Sequence, residues 1–267
     1  MILTGKAVFA AIVGNPIEQV ASPKIFNQRF DQLGIEAALL PIDIEEQGIK
    51  PLLDSFRYTQ NFKGLIITLP YKQLVVQYLD TMSNEVRELG SCNVIVKRAG
   101  GLHGELTDGV GMTSAIQKHN INFATCNAII AGCGGAGSAI AWSLLEAGVS
   151  SLSLRETIEF QTKSDGLAKL LSTHFPDRYI TSNGNSDMTR SILINATRLG
   201  MSKDDPPVFN QSEVSNAIII GDAVTRADNR LTTLASQAKN CGITCITGQQ
   251  MAASQSRIIS DLIGLKI

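Results

Sequence analysis

Ala128-Ile129-Ile130-Ala131-Gly132-Cys133-Gly134-Gly135-Ala136-Gly137 reads as the end of a buried strand, a glycine loop and the opening of a helix. The pattern is Gly-x-Gly-Gly-Ala-Gly. Gly132 permits a tight turn. Gly134 and Gly135 let backbone N–H groups approach a pyrophosphate. Gly137 allows the helix to lie close to the strand. The helix, expected over Ala136–Glu146, adds the positive end of its dipole to that site. A second strand, expected over Ser151–Leu154, completes the βαβ unit that a dinucleotide fold needs. Gly132, Gly134, Gly135 and Ala136 are therefore candidate cofactor contacts, against the alternative of a purely structural glycine turn.

The second strand runs into Arg155-Glu156-Thr157. Glu156 lies 24 positions after Gly132, near the ~20-residue spacing of an acid that binds an adenosine ribose. A carboxylate there accepts from the 2′-hydroxyl and repels a 2′-phosphate, which favours NAD over NADP. One residue of register would present Arg155 instead, and two charged residues in a solvated loop is the plain alternative.

Outward from this unit, short apolar runs alternate with helical patterns. Strands are expected at Phe9–Val13, Ala37–Leu40, Gly64–Thr68, Asn93–Val96, Asn127–Ala131, Ser151–Leu154, Ile192–Asn195, Ala217–Gly221 and Ile243–Ile246. They are apolar nearly end to end, as strands of a parallel sheet covered on both faces are. Helices are expected at Pro23–Leu33, Tyr71–Tyr78, Thr113–Lys118, Ala136–Glu146, Asp165–Leu171, Leu231–Asn240 and Ala252–Leu265. The alternation predicts an α/β protein: an N-terminal α/β substrate domain and a Rossmann-type, doubly wound dinucleotide-binding domain. The boundary is placed near Gly109–Gly111. Residues 1–110 form the first domain, with the final helix, 248–267, packed back on it. Residues 111–247 form the second, leaving a cleft between two lobes.

Composition narrows the function. The chain has 267 residues, 44% of them hydrophobic, and 23 Lys+Arg balance 24 Asp+Glu. That balance argues against nucleic acid and membrane surfaces as partners, and the 5% aromatic content against base stacking. The five scattered cysteines lack metal-ligand spacing, so no metal is expected, and they suit a reducing cytoplasm. No apolar stretch approaches the ~20 residues of a membrane span.

Further polar segments interrupt the apolar runs: Gly14–Pro23, Gly64–Lys72, Gly90–Val94, Gly104–Gly111, Asn195–Met201 and Gly248–Gln255. With the glycine loop, and in this order over nearly the whole chain, they resemble the shikimate dehydrogenase family. The resemblance implies a reversible, NAD(P)-dependent oxidation of a ring hydroxyl on a shikimate- or quinate-like polyol acid. It assigns Lys72 and Asp108 as the catalytic pair. A hydroxyl that loses a hydride must also lose its proton, so a base within hydrogen-bond reach is required. It assigns Ser22, Thr68, Asn93 and Gln255 to the substrate. It places Asn195, Thr197, Met201, Gly248 and Met251 about the nicotinamide end of the cofactor. The expected partner is a small polyol acid, and the chain is expected as a monomer or homodimer.

The departures cluster. The family's S-x-S-P is Val20-Ala21-Ser22-Pro23, so one carboxylate-binding serine is missing; Ser22 also reads as a helix N-cap with Pro23 at N1. The tyrosine that faces the same carboxylate is Thr225, within Asp222–Arg230. Arg198 stands where the family has Pro or Ser, and the family's N-R-T phosphate clamp reads Arg155-Glu156-Thr157. The proton-transfer end is intact and the carboxylate end is not. Three readings stand: an NAD-linked dehydrogenase of a related polyol acid, an ordinary NADP-linked shikimate dehydrogenase, and a non-catalytic ligand-binding regulator on the same fold.

Overall fold

The computed structural model describes residues 2–183, 189–226, 228 and 230–265. It divides into two compact units, Met1–Thr107 with Gln255–Ile267, and Asp108–Ser254.

The first unit is built on a six-stranded sheet. In chain order its elements are β1 (Val8–Gly14), α1 (Ser22–Leu33), β2 (Ala37–Asp43), α2 (Glu46–Tyr58), β3 (Phe62–Ile67), β4 (Thr81–Met82), α3 (Asn84–Leu89), β5 (Val94–Arg98) and β6 (Gly101–Glu105). The strand order is β2-β1-β3-β5-β6-β4. β1 lies parallel to β2 and β3. β5 runs antiparallel to both β3 and β6, so the sheet is mixed and not all-parallel as the apolar runs suggested. Both faces are buried. Along β1, Ala11 and Val13 join a cluster with Ile49, Leu53 and Phe56 of α2. Ala10 and Ile12 join the opposite one, with Phe26 and Phe30 of α1. This is the two-residue alternation of a strand covered on each side. Ile259, Ile263 and Leu265 belong to that second cluster. A Cβ on Gly64 of β3 would stand 2.3 Å from Ile263 Cγ2, so the approach of the C-terminal segment depends on a glycine there.

The second unit contains α4 (Asp108–Gln117), β7 (Asn127–Ala131), α5 (Gly135–Glu146), β8 (Ser151–Arg155), α6 (Gln161–His174), β9 (Tyr179–Ser182), β10 (Ser191–Asn195), α7 (Gln211–Asn216), β11 (Ala217–Asp222), α8 (Thr233–Cys241) and β12 (Cys245–Thr247), and α9 (Gly248–Leu262) follows. Its sheet, β12-β11-β10-β7-β8-β9, is parallel at every pairing. The order runs outward in both directions from the β7/β10 pair, which makes the loops after these two strands the switch point, where ligands of open α/β sheets bind.

Several expectations change. Gly109 and Gly111 lie within α4. A Cβ on Gly109 would meet Ala139 O at 2.2 Å, so glycine here lets α4 lie against α5. The helix expected over Tyr71–Tyr78 shrinks to a 3-10 segment, Leu74–Tyr78, because the Lys72 carbonyl is taken by Cys92 N–H at 2.8 Å. The N-cap of α1 is Ala21, without a side-chain hydrogen bond, and Ser22 is already helical. The strand expected at Ile243–Ile246 is Cys245–Thr247, because α8 ends only at Cys241 and a left-handed Gly242 follows. Among the described residues, no helix is long and apolar enough to cross a membrane.

Candidate functional site

In the first unit, three of the four substrate residues named from sequence, Thr68, Asn93 and Gln255, gather where β3 and β5 meet. Thr68 follows β3, and its N–H donates to Val13 O at 2.9 Å. Ile67 N–H donates to Asn93 O at 2.8 Å, and Asn93 N–H to Glu105 O at 3.0 Å. Lys72 follows on the next turn, held through Cys92 and through Tyr71. Tyr71 is buried, and its hydroxyl donates to Ile44 O at 2.6 Å.

Asn93 is 2% exposed. Its Oδ1 accepts Thr107 N–H at 2.7 Å, and its Nδ2 donates to Thr107 Oγ1 at 3.0 Å. Thr107 Oγ1 in turn donates to Gln255 Oε1 at 2.9 Å. The structure thus joins Asn93 and Gln255 through Thr107, which stands beside Asp108 in the Gly104–Gly111 segment and was not among the expected site residues. Gln255 is half-buried and bonded, not an exposed helix glutamine. Such a network fixes each amide's orientation, as recognition of ring hydroxyls requires. Ser22 lies half-buried at the start of α1, on the loop after β1.

In the second unit Gly132, with φ +95°, turns the chain out of β7, and a Cβ there would meet the Ala196–Thr197 backbone at 2.7 to 2.8 Å. The two switch-point loops touch through glycine. A Cβ on Gly137 would stand 1.8 Å from Gly132 O. A Cβ on Gly134, by contrast, would meet nothing within 4 Å. Gly134 is the N-cap of α5, which begins Gly135-Ala136 with no side-chain cap. The N-terminus of α5 thus has open space beside Gly134 and no side-chain cap, which fits a pyrophosphate.

Glu156 Oε1 accepts Cys133 N–H at 2.6 Å, fixing a carboxylate at the lip of this loop. Its own N–H donates to Asn183 Oδ1 at 3.0 Å. Arg155 turns away, to an ion pair with Glu213. Burial, and then the Glu156 charge, push the Cys133 thiol up to about 12, which makes it a packed side chain and not a nucleophile.

Asn195 is fully buried, and its polar atoms are spent inside the fold. Nδ2 donates to Leu199 O and Asp222 Oδ1, each at 3.0 Å, and Oδ1 accepts from Thr197 N–H and Oγ1. These bonds shape the loop. Thr197 is half-buried, and Met201 is 37% exposed on the same loop. Asp222 anchors this region. It accepts from Asn195, Val224 N–H and Thr232 Oγ1, and burial raises it to about 6. Gly248 opens α9 against Ala223, Val224 and Thr225, and Met251 is buried one turn later. Asp108 is the first residue of α4 and is 4% exposed.

Comparison with known proteins matches residues 12–95 to the model of the shikimate dehydrogenase substrate binding domain. A relative named shikimate dehydrogenase (NADP(+)), from Syntrophomonas wolfei, is 30% identical over 273 residues, covering 97% of this chain and 90% of that protein. The chain belongs to the shikimate dehydrogenase family. With that family it belongs to the NAD(P)-dependent dehydrogenases acting on CH–OH groups. Solved structures share the fold. Shikimate 5-dehydrogenase from Listeria monocytogenes, in complex with shikimate and NAD, has a TM-score of 0.84 at 23% identity, covering 99% of this chain and 94% of that one. Quinate dehydrogenase from Corynebacterium glutamicum, in complex with NAD, has a TM-score of 0.80 at 24% identity over 96% and 93%.

Within this shikimate dehydrogenase family chain, the departures have local causes. Val20 packs against the apolar cluster of Ile17 and Phe26 and offers no donor. Thr225 is half-buried beside Gly248. Ala227 and Asn229, in the same divergent segment, lie outside the described residues.

Proposed function

We propose that the chain is an NAD-linked dehydrogenase of a shikimate- or quinate-like polyol acid. The observation that carries this reading is the Asn93–Thr107–Gln255 network, a buried and mutually bonded set of hydroxyl-recognising groups next in the fold to Thr68 and Lys72. Lys72 takes the proton of the ring hydroxyl, and Asp108 orients that exchange. A bound nicotinamide supplies the hydride acceptor. Gly134, Gly135 and Ala136 hold the pyrophosphate with backbone N–H groups, and Thr197, Met201, Gly248 and Met251 line its nicotinamide end. Asn195 serves as support for that loop.

Glu156 supports NAD. A carboxylate held on the loop accepts from a ribose hydroxyl and repels a 2′-phosphate. The curated relatives are named for NADP(+), which favours the second reading, an ordinary NADP-linked shikimate dehydrogenase. The carboxylate end separates these readings too. Each hydrogen bond to a charged group lost at Val20 and Thr225 costs about 1.5–3 kcal/mol, so shikimate itself should bind weakly.

The test is absorbance at the reduced-nicotinamide band, with NAD and NADP each offered shikimate, quinate, dehydroshikimate and aminoshikimate. Turnover of a ring polyol acid with NAD supports the proposal. Efficient turnover of shikimate with NADP supports the second reading. Cofactor binding without turnover of any of these acids overturns both and leaves a regulator.

A further inference from the structure

The two residues that follow one another out of β8 carry opposite charges, and the fold sends them to different places. Glu156 reaches the glycine loop through Cys133 N–H. Arg155 lies over the ring of the buried Phe209, 5.8 Å from its centroid, and forms an ion pair with Glu213 of α7. Glu213 is itself fixed by a capping box. Its Oε2 accepts Asn210 N–H at 2.8 Å, and its own N–H donates to Asn210 Oδ1 at 2.9 Å. The acceptor's position is thus set by α7, independently of Arg155. The Arg155 backbone, meanwhile, stays at the loop, where its carbonyl accepts Gly132 N–H at 3.0 Å. The side chain is held by Glu213 and by the Phe209 ring.

We infer that Glu213 is a cofactor-selecting positioning residue: it holds Arg155 away from the glycine loop, so that the charge presented there is that of Glu156. The inference rests on the proposed dinucleotide site and deepens it. A guanidinium is the side chain best matched to a phosphate, through its forked donors. Released from α7, Arg155 would stand one residue from the ribose-binding acid and would partly offset its repulsion of a 2′-phosphate.

The experiment titrates NAD and NADP by calorimetry into the full chain as wild type, Glu213→Gln, Arg155→Gln and the double variant. Glutamine keeps the capping box, which accepts either side chain, but loses the charge that holds Arg155. Glu213→Gln should raise NADP affinity relative to NAD about fivefold, the scale of one ion pair near the surface, with NAD affinity itself unchanged. The gain should vanish in the double variant. Arg155→Gln alone should leave the ratio as in wild type. A purely structural role for Glu213 would weaken both cofactors alike.

An unchanged ratio in Glu213→Gln overturns the inference, as does a gain that survives loss of Arg155. If Glu213→Gln proves unstable, Arg155→Gln still decides: a fall in NADP affinity there means that the guanidinium already serves the phosphate. A wild type that prefers NADP defeats the NAD reading, while the shift caused by Glu213→Gln still decides this one.

Discussion

Side chains build the site end of the first sheet, where Asn93, Thr107 and Gln255 satisfy one another. At the switch point of the second sheet the reverse holds. There Gly132 and Gly137 allow close approach through the lack of a Cβ, and Gly134 has open space beside it. The first region is closed and bonded before any ligand arrives; the second is open at Gly134. The contrast suggests where divergence is cheap. A single substitution in the side-chain network strands a buried partner, whereas a change of charge beside the glycine loop costs the Glu156 bond to Cys133 N–H and leaves the glycines in place. The departures from the family follow that rule, at Arg155, Glu156, Val20 and Thr225.

The largest expected effect separates chemistry from cofactor binding. Lys72→Ala should lower turnover by the ~10²–10⁴-fold of a lost acid–base group, while NAD affinity stays unchanged. Near-normal rates would remove Lys72 from the chemistry.

Legibility from sequence follows the same division. The glycine loop could be read directly, because a backbone-built site needs glycines at fixed spacing. β7 lies at Asn127–Ala131 as expected, and β8 runs one residue past the expected Leu154. The side-chain network came into view only through resemblance, since Asn93 and Gln255 are 162 positions apart. Thr107 was missed because one threonine between strand and helix carries no periodic signal. α2 was not among the expected helices; Gly48 and Pro51 are poor helix formers, yet Ile49, Leu53 and Phe56 bury a helical stripe that overrides them. β6, Gly-Leu-His-Gly-Glu, lacks the β-branched run that marks a strand.

A second prediction tests the scaffold under the backbone-built region. Burial raises the Asp222 carboxyl from its ordinary 3.8 to about 6 in the folded chain. Between these values the folded chain holds the proton more tightly. Its ionised form is therefore penalised above about pH 6, and the penalty is relieved as pH falls. Relative to Asp222→Asn, wild type should gain roughly 2–3 kcal/mol of stability on going from pH 7.5 to pH 4. Denaturant unfolding at both pH values checks this, and parallel profiles would refute it.

On the side-chain region, Thr107→Val removes the donor to Gln255 and an acceptor for Asn93. It should cost about 1–3 kcal/mol of stability and raise KM for the acid, with cofactor affinity unaffected. Unchanged stability and KM would show that the network is incidental. Smaller again is Val20→Ser. It should raise kcat/KM for shikimate by ~tenfold, the scale of one hydrogen bond to a charged acceptor. No gain, or a wild type already efficient on shikimate, would mean that the divergent residues are neutral.

The central claim is that the glycine loop and Glu156 form an NAD site, and it is tested most directly by calorimetric titration of wild type and Glu156→Ala with NAD and NADP. NAD should bind wild type at least ~tenfold more tightly than NADP, a difference of about 1.4 kcal/mol, and Glu156→Ala should narrow that gap. Equal or reversed affinities in wild type, or a gap that survives loss of the carboxylate, would contradict the account.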